Sequence, residues 1–298
     1  MRALPIRAAL ALMLSGGAAH AACEGYTPGP KPQNTAREDV GADYDTIVER
    51  GWIEFAVYTD FPPFSFEEDG AMTGVDIEIG RLVAEDLGVE ARFSAVAASE
   101  NVDADLRNHV WKGPLVGKHV SNVMLHIPYN ENLACRNEQI VFTGQYFNEK
   151  IGIAWDTATY DDAPTPAYFR YDPVGVENDS LADFYLSSAF GGQVRDKVRR
   201  FTTYELAMAA LRGGEIGAVT GPMTQLQYGA RDAQERISVS DVPLPGLALG
   251  EWTLGVGVRH TYRQLGYAVD DAIRAAVEDG RVAAIFESYG LIHRAPDW

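Results

Sequence analysis

The sequence predicts an α/β protein, and three observations in one stretch carry that reading. Ile53–Tyr58 is a short β-rich run. Phe61-Pro62-Pro63-Phe64 follows as a stiff aromatic loop. From Gly74 onward, Val75, Ile77, Ile79, Leu82, Val83 and Leu87 recur near helical spacing, and Gly88 stands where a helix stops. A strand, a loop and a helix in this order put the loop at the strand's carboxyl edge, where open α/β sheets bind ligands.

The chain before this unit reads as export machinery and an arm. Residues 1–21 have the form of a signal peptide: basic Arg2 and Arg7, an apolar run from Ala8 to Leu14, and Ala19-His20-Ala21 as a small-x-small cleavage site. The apolar run is too short to span a bilayer. His20 stands where a lipobox before Cys23 would need a leucine-like residue. The expectation is cleavage near Ala21, a periplasmic location and no membrane insertion. Residues 22–46, rich in Pro, Gly and charge, read as an irregular arm. An exported chain with only Cys23 and Cys135 suggests one disulfide between arm and body, with two free thiols as the alternative.

Beyond the opening unit the elements alternate. Ala91–Val96 reads as a strand, Val102–Trp111 as a helix, Gly113–Lys118 as a loop and Asn122–Ile127 as a third strand. Glu138–Thr143 is β-like, and Ile151–Trp155 reads as a new strand after Tyr146-Phe147. Asp156–Asp172, with two prolines, is a long loop. Val174–Val176 leads through Asp179-Ser180 into a capped helix, Leu181–Phe190, stopped by Gly191-Gly192. A helix begun by Thr202-Thr203 and running through Leu211-Arg212, a strand over Ile216–Thr220 and a helix over Met223–Ala230 follow. A strand over Trp252–Val258 and helices over Tyr262–Glu278 and Arg281–Tyr289 finish the chain.

Charge bounds the partners. The formal net charge is −17, and loss of Arg2 and Arg7 would make it more negative by two. Nucleic acid and anionic membranes are poor partners for such a chain, and cationic ones are favoured. The roughly 277 residues left after cleavage suffice for two α/β lobes.

The opening unit, LGVGVRHTYRQLGYAVDDAI and DGRVAAIFESYG together resemble the family 3 extracellular solute-binding proteins over roughly residues 50–290. The resemblance implies a two-lobed periplasmic binding protein fold (type II) whose hinge is crossed twice. Lobe 1 would be discontinuous, residues 47–147 and 251–298, and lobe 2 would hold residues 148–250. Many members hold an amino acid with Thr-x-x-Arg after the third strand, because a guanidinium fork pairs both oxygens of a carboxylate. Here Pro128-Tyr129-Asn130-Glu131 follows Ile127, and Glu131 is read at the arginine's place. The members' acid after lobe 2's short strand is replaced by Gly221-Pro222. The aromatic wall is retained in Phe61, held by Pro62 and Pro63, with Tyr129, Tyr146 and Trp155 as further surface. The cleft candidates are thus Phe61, Pro63, Tyr129, Asn130, Glu131, Trp155, Asp179, Ser180 and Gly221. A cleft with aromatic walls and no charge clamp suits an apolar or polypeptide ligand.

NVDADLRNHVWKG, VSNVMLHIPYN and CRNEQIVFTGQYF further resemble the binding-protein-like accessory proteins of periplasmic methanol dehydrogenases that use pyrroloquinoline quinone, the MxaJ/XoxJ type. That resemblance implies a non-enzymatic partner of a methanol dehydrogenase, possessing no cofactor of its own. An alternative is the solute receptor of an ABC transporter for a ligand other than an amino acid. His109, His119 and His126 match no metal motif, and Asp43 and Asp45 are only a fragment of a calcium loop. GxSxG, HExxH and P-loop patterns are absent from the sequence.

Overall fold

The computed structural model describes residues 40–298 together with Cys23 and Tyr26. The leader expected over residues 1–21 and most of the arm expected over 22–46 lie outside the described residues. The end of that arm is a correction: Tyr44–Arg50 forms a helix, α1. Asp43 caps it by accepting from the Thr46 amide at 2.9 Å. Only Ile47 is buried on this helix, too little periodicity to read in advance.

The opening unit forms as expected. β1 (Trp52–Tyr58) leads through the aromatic loop and a hairpin, β2 (Phe66–Glu68) and β3 (Ala71–Thr73), into α2 (Val75–Asp86). Ile53, Phe55, Ala56 and Val57 of β1 are all buried, as in a parallel strand covered on both faces. Gly74 is needed at its place. Its φ is +123°, and a Cβ there would come within 2.2 Å of the Phe64 carbonyl oxygen. β4 (Glu90–Val96) runs parallel to β1. The helix expected over Val102–Trp111 is divided: α3 (Val102–Leu106) passes into a π-helical turn, Arg107–Trp111. β5 (Val123–Tyr129) and the short α4 (Glu131–Arg136) follow.

β6 (Ile140–Asp156) is one strand of 17 residues, where the sequence suggests two. Gly144, at φ +54°, allows its irregularity, and the pairing register shifts beside it. Residues 140–150 pair with β11, whereas 151–156 pair with strands of the other half. That half contains β7 (Val174–Glu177), α5 (Leu181–Gly192), β8 (Val198–Phe201), α6 (Tyr204–Arg212), β9 (Ala218–Pro222), α7 (Met223–Ala230) and β10 (Ile237–Ser240). α5 loses helical geometry at Ala189, and Phe190 is left-handed at φ 51°. β8 and β10 are absent from the sequence reading. Each has four residues and lies at an edge of the sheet, so each carries little pattern.

The chain returns through residues 241–250 into β11 (Glu251–Arg259) and ends with α8 (Arg263–Glu278) and α9 (Arg281–Ser288). The strands form one sheet in the order β4-β1-β5-β11-β6-β9-β7-β8, with β10 also on β6. Gly250 accepts from the Ile151 amide at 2.8 Å, so the second passage between the halves lies beside the first. Phe55, Phe64, Tyr146, Phe147, Ile273 and Phe286 centre the core of lobe 1. Lobe 2 is packed by two clusters, one around Trp155, Phe169 and Leu186 and another around Tyr204, Met208 and Leu226. Each fully buried aliphatic or aromatic side chain contributes about 1.5–3 kcal/mol relative to exposure.

A disulfide joins Cys23 to Cys135 of α4, the pairing expected between arm and body. No helix among the described residues is long and apolar enough to cross a membrane.

Candidate functional site

The carboxyl ends of β1 and β7, the start of α6 and the later part of α7 meet across a cavity of about 680 Å³. Lobe 1 supplies Asp60, Phe61, Pro62, Phe66, Glu67 and Glu68. Lobe 2 supplies Glu177, Thr203, Tyr204, Glu205 and Tyr228, with Arg212, Arg231 and Asp232 at the edge of α7 and α6.

Phe61 stands on this wall. One face stacks on Phe64, with ring centroids 5.4 Å apart and planes at 21°. His126 meets it edge-on at 4.9 Å and Tyr58 at 6.3 Å. His126 Nδ1 lies 3.2 Å from Oδ2 of buried Asp76, without hydrogen-bond geometry, and Asp76 Oδ1 accepts from Tyr146 Oη at 2.8 Å. His126 has φ 63°, uncommon for a residue with a Cβ, which re-aims its ring beneath Phe61. The Pro63 carbonyl accepts from the Val75 amide at 3.0 Å, so Pro63 is buried and docks the start of α2 rather than facing the cavity.

Several sequence candidates lie elsewhere. Tyr129 is half exposed on a separate small hollow with Asp270, Arg274 and Trp298. Tyr146 is fully buried, and its hydroxyl is spent on Asp76. Trp155 is packed in the core of lobe 2, because its strand position faces Phe169 and Val174 and not the cleft. Asn130 accepts from the Leu133 amide at 3.1 Å and caps α4. The cap fixes where α4 starts. Three residues past the capping position stands Leu133, which is buried, while Glu131 is the exposed first residue of the helix. Neither position carries an arginine.

In lobe 2, Ser180 caps α5 by accepting from the Asp183 amide at 3.2 Å and also accepts from Tyr204 Oη at 3.1 Å. Asp179, at φ 59°, is an exposed turn residue that accepts from Asn178 Nδ2. Gly221 lies beneath Tyr204, and a Cβ there would come within 2.2 Å of Tyr204 Cε1. Tyr204 therefore fills the space an acid at 221 would need. Tyr204, Tyr228, Phe66 and the carboxylates around them escape the sequence reading, since each is a common residue type in an unremarkable setting.

Electrostatically the cavity is acidic. Asp60, Glu67, Glu68 and Glu205 have no ion pair among the described residues. Glu177 accepts from the Tyr204 amide at 3.1 Å, and burial pushes its carboxyl up despite that bond. The Tyr228 hydroxyl is also pushed up, first by burial; Arg231 opposes this, and Glu68 and Glu205 add to it from the two lobes. No group of three or more His, Cys, Asp or Glu among the described residues could hold a metal ion.

The sequence model of the bacterial extracellular solute-binding proteins, family 3, matches residues 53–110. The L-cystine-binding protein TcyJ of Escherichia coli (strain K12) is 24% identical over 247 residues, 82% of this chain and 84% of TcyJ. A solved ancestral cationic amino acid solute-binding protein, AncCDT-1, superposes with a TM-score of 0.67 at 19% identity, covering 83% of this chain and 99% of its own. An amino acid ABC transporter substrate-binding protein from Streptococcus pneumoniae Canada MDR_19A, bound to L-arginine, gives 0.60 at 20% identity, covering 83% and 97%. The chain thus has the two-lobed periplasmic binding protein fold, and its residues 53–110 match the family 3 extracellular solute-binding proteins.

Proposed function

We propose that this chain is a non-catalytic periplasmic receptor that takes a small solute between its lobes and presents it to an ABC transporter. One observation carries the reading: a cavity of about 680 Å³ is lined from both lobes, with Phe61 on one wall and Tyr204 on the other. A ligand touching both walls favours the arrangement in which the walls are near, which is how binding biases lobe closure. The relatives named for cystine and arginine support a small-solute ligand. An α-amino acid grip is disfavoured, because Glu131, read at the arginine's place, and Leu133 offer no guanidinium fork and Gly221 offers no acid. The arginines present are engaged: Arg212 donates to the Gly229 carbonyl, and Arg231 to the Tyr228 carbonyl at 2.7 Å. Small-angle scattering with a panel of solutes tests the reading. A solute that lowers the radius of gyration supports it; a panel without any such solute removes it.

A second reading follows from the altered anchor region. Pro128-Tyr129-Asn130 replaces the clamp, and α4 just beyond it is tied to the N-terminal arm through Cys135. In this reading the protein assists the activation or maturation of a methanol dehydrogenase that uses pyrroloquinoline quinone. Loss of methanol dehydrogenase activity on deleting the gene, restored by complementation, supports it. Unchanged activity with loss of uptake of a solute returns the weight to the receptor.

A further inference from the structure

We propose that the cleft ligand is an organic polycation without a carboxylate, ammonium groups on an alkyl chain, lying between Glu68 of lobe 1 and Glu205 of lobe 2. This names the ligand class of the receptor reading and rests on it.

The first argument is the lining of one cavity. Both lobes present unneutralised carboxylates to it: Asp60, Glu67 and Glu68 from one side, Glu205 from the other. Glu68 and Glu205 line the same cavity as Tyr228, one from each lobe. Like charges facing each other across a cleft oppose its closure, and a cation between them removes the opposition. A carboxylate-bearing ligand meets the reverse situation, since carboxylates outnumber the arginines Arg212 and Arg231 in the lining and Arg231 already pairs with Asp232.

The second argument is independent of charge counting. The apolar surface of the cavity is aromatic: Phe61 and Phe66 from lobe 1, Tyr204 and Tyr228 from lobe 2. Phe66 and Tyr228 already meet across the lobes, with ring centroids 6.0 Å apart. Aromatic faces attract cations and accept the alkyl spacers between them. The chain shows this contact in the cavity itself, where the Arg231 guanidinium lies 3.8 Å over the Tyr228 ring. Carboxylates for the charged groups and rings for the spacers are together what a linear polyamine, or a run of lysine side chains, requires.

The test is calorimetric titration of the full mature protein with spermidine, tetralysine bearing an amidated C-terminus, and free arginine. It uses wild type and the double variant Glu68→Gln/Glu205→Gln, at low and high salt. Both glutamates are exposed, so the variant keeps the fold, and its thermal unfolding checks this. The expected result is that spermidine or tetralysine binds wild type with a Kd below about 100 μM. The double variant and high salt should each weaken that binding by about tenfold or more. Binding of spermidine alone identifies a free polyamine as the source, and binding of tetralysine alone a basic peptide segment. The inference is overturned if neither binds, if the double variant binds as wild type does, or if arginine binds as tightly as the polycations. A solute from another class that still closes the lobes leaves the receptor reading standing, whereas no closing solute at all removes both.

Discussion

The ring of Tyr204 occupies the space above Gly221, leaving 2.2 Å between Tyr204 Cε1 and any Cβ at that position. The two residues are therefore one choice: a tyrosine that starts α6 with its amide on Glu177 requires a glycine on β9. Gly221→Ala should destabilise the protein by about 1–3 kcal/mol, the usual cost of overpacking. The double variant Tyr204→Ala/Gly221→Ala should lose less than the sum of the single changes, because the two sites touch. Urea unfolding of the four proteins measures the coupling; strict additivity would show that the ring yields freely.

Phe61 is only partly buried, so its truncation should separate binding from folding. Phe61→Ala forfeits the stack on Phe64 and should lower stability by about 1 kcal/mol or less beyond the lost area. Ligand affinity should fall by about tenfold or more if the ligand lies on that wall. Equal losses in unfolding and binding would instead mark Phe61 as a structural residue.

The Cys23–Cys135 bond closes a segment with a sequence separation of 112. Loop entropy for a closure on that scale is worth up to about 4–5 kcal/mol, with strain reducing it. Cys135→Ser should lower the unfolding midpoint and leave one thiol for alkylation, whereas unreduced wild type should take up none. Intact mass after alkylation reads both. Two alkylated cysteines in the unreduced wild type would contradict the pairing.

The sequence exposes those parts of the fold whose burial imposes a pattern. β1 and α2 are legible because Ile53, Phe55, Val75, Ile79 and Val83 must all face the core. β8 is not, because Val198-Arg199-Arg200-Phe201 buries only Val198 and leaves both arginines to solvent. Of the site, Phe61 is legible through its prolines. The start of α4 is not legible, since only the cap at Asn130 fixes it. Trp155 and Tyr129 are misplaced because a residue type does not state which face of a strand it leaves. Glu68 and Glu205 carry no local signal at all; a surface glutamate looks the same until the fold sets another against it.

Glu149 provides a pH test of the region between the lobes. It lies on β6, accepts from the Lys150 amide at 2.8 Å and from Thr224 Oγ1 of α7, and burial pushes its carboxyl above the ordinary 4.5. A carboxyl raised by folding keeps its proton in the folded state after the unfolded chain has lost it. Stability from this group is therefore lost as pH rises from 4.5 to the folded value, and is constant above. Glu149→Gln removes that dependence. Its stability relative to wild type should improve as pH rises from about 4 to about 7. Urea unfolding across that range checks it, and a difference independent of pH would mean that the Glu149 carboxyl titrates alike in the folded and unfolded chains.

The central claim is that a small ligand binds between Phe61 and Tyr204. Thermal-shift titration against amino acids, diamines, polyamines and oligolysine, on wild type and Phe61→Ala in parallel, tests it most directly. The account predicts that at least one polycation raises the wild-type unfolding midpoint, that the rise is lost or greatly reduced in Phe61→Ala, and that free amino acids produce none at micromolar concentration. A rise of the same size in both proteins, or one produced by neutral amino acids through their α-carboxylate, would contradict it.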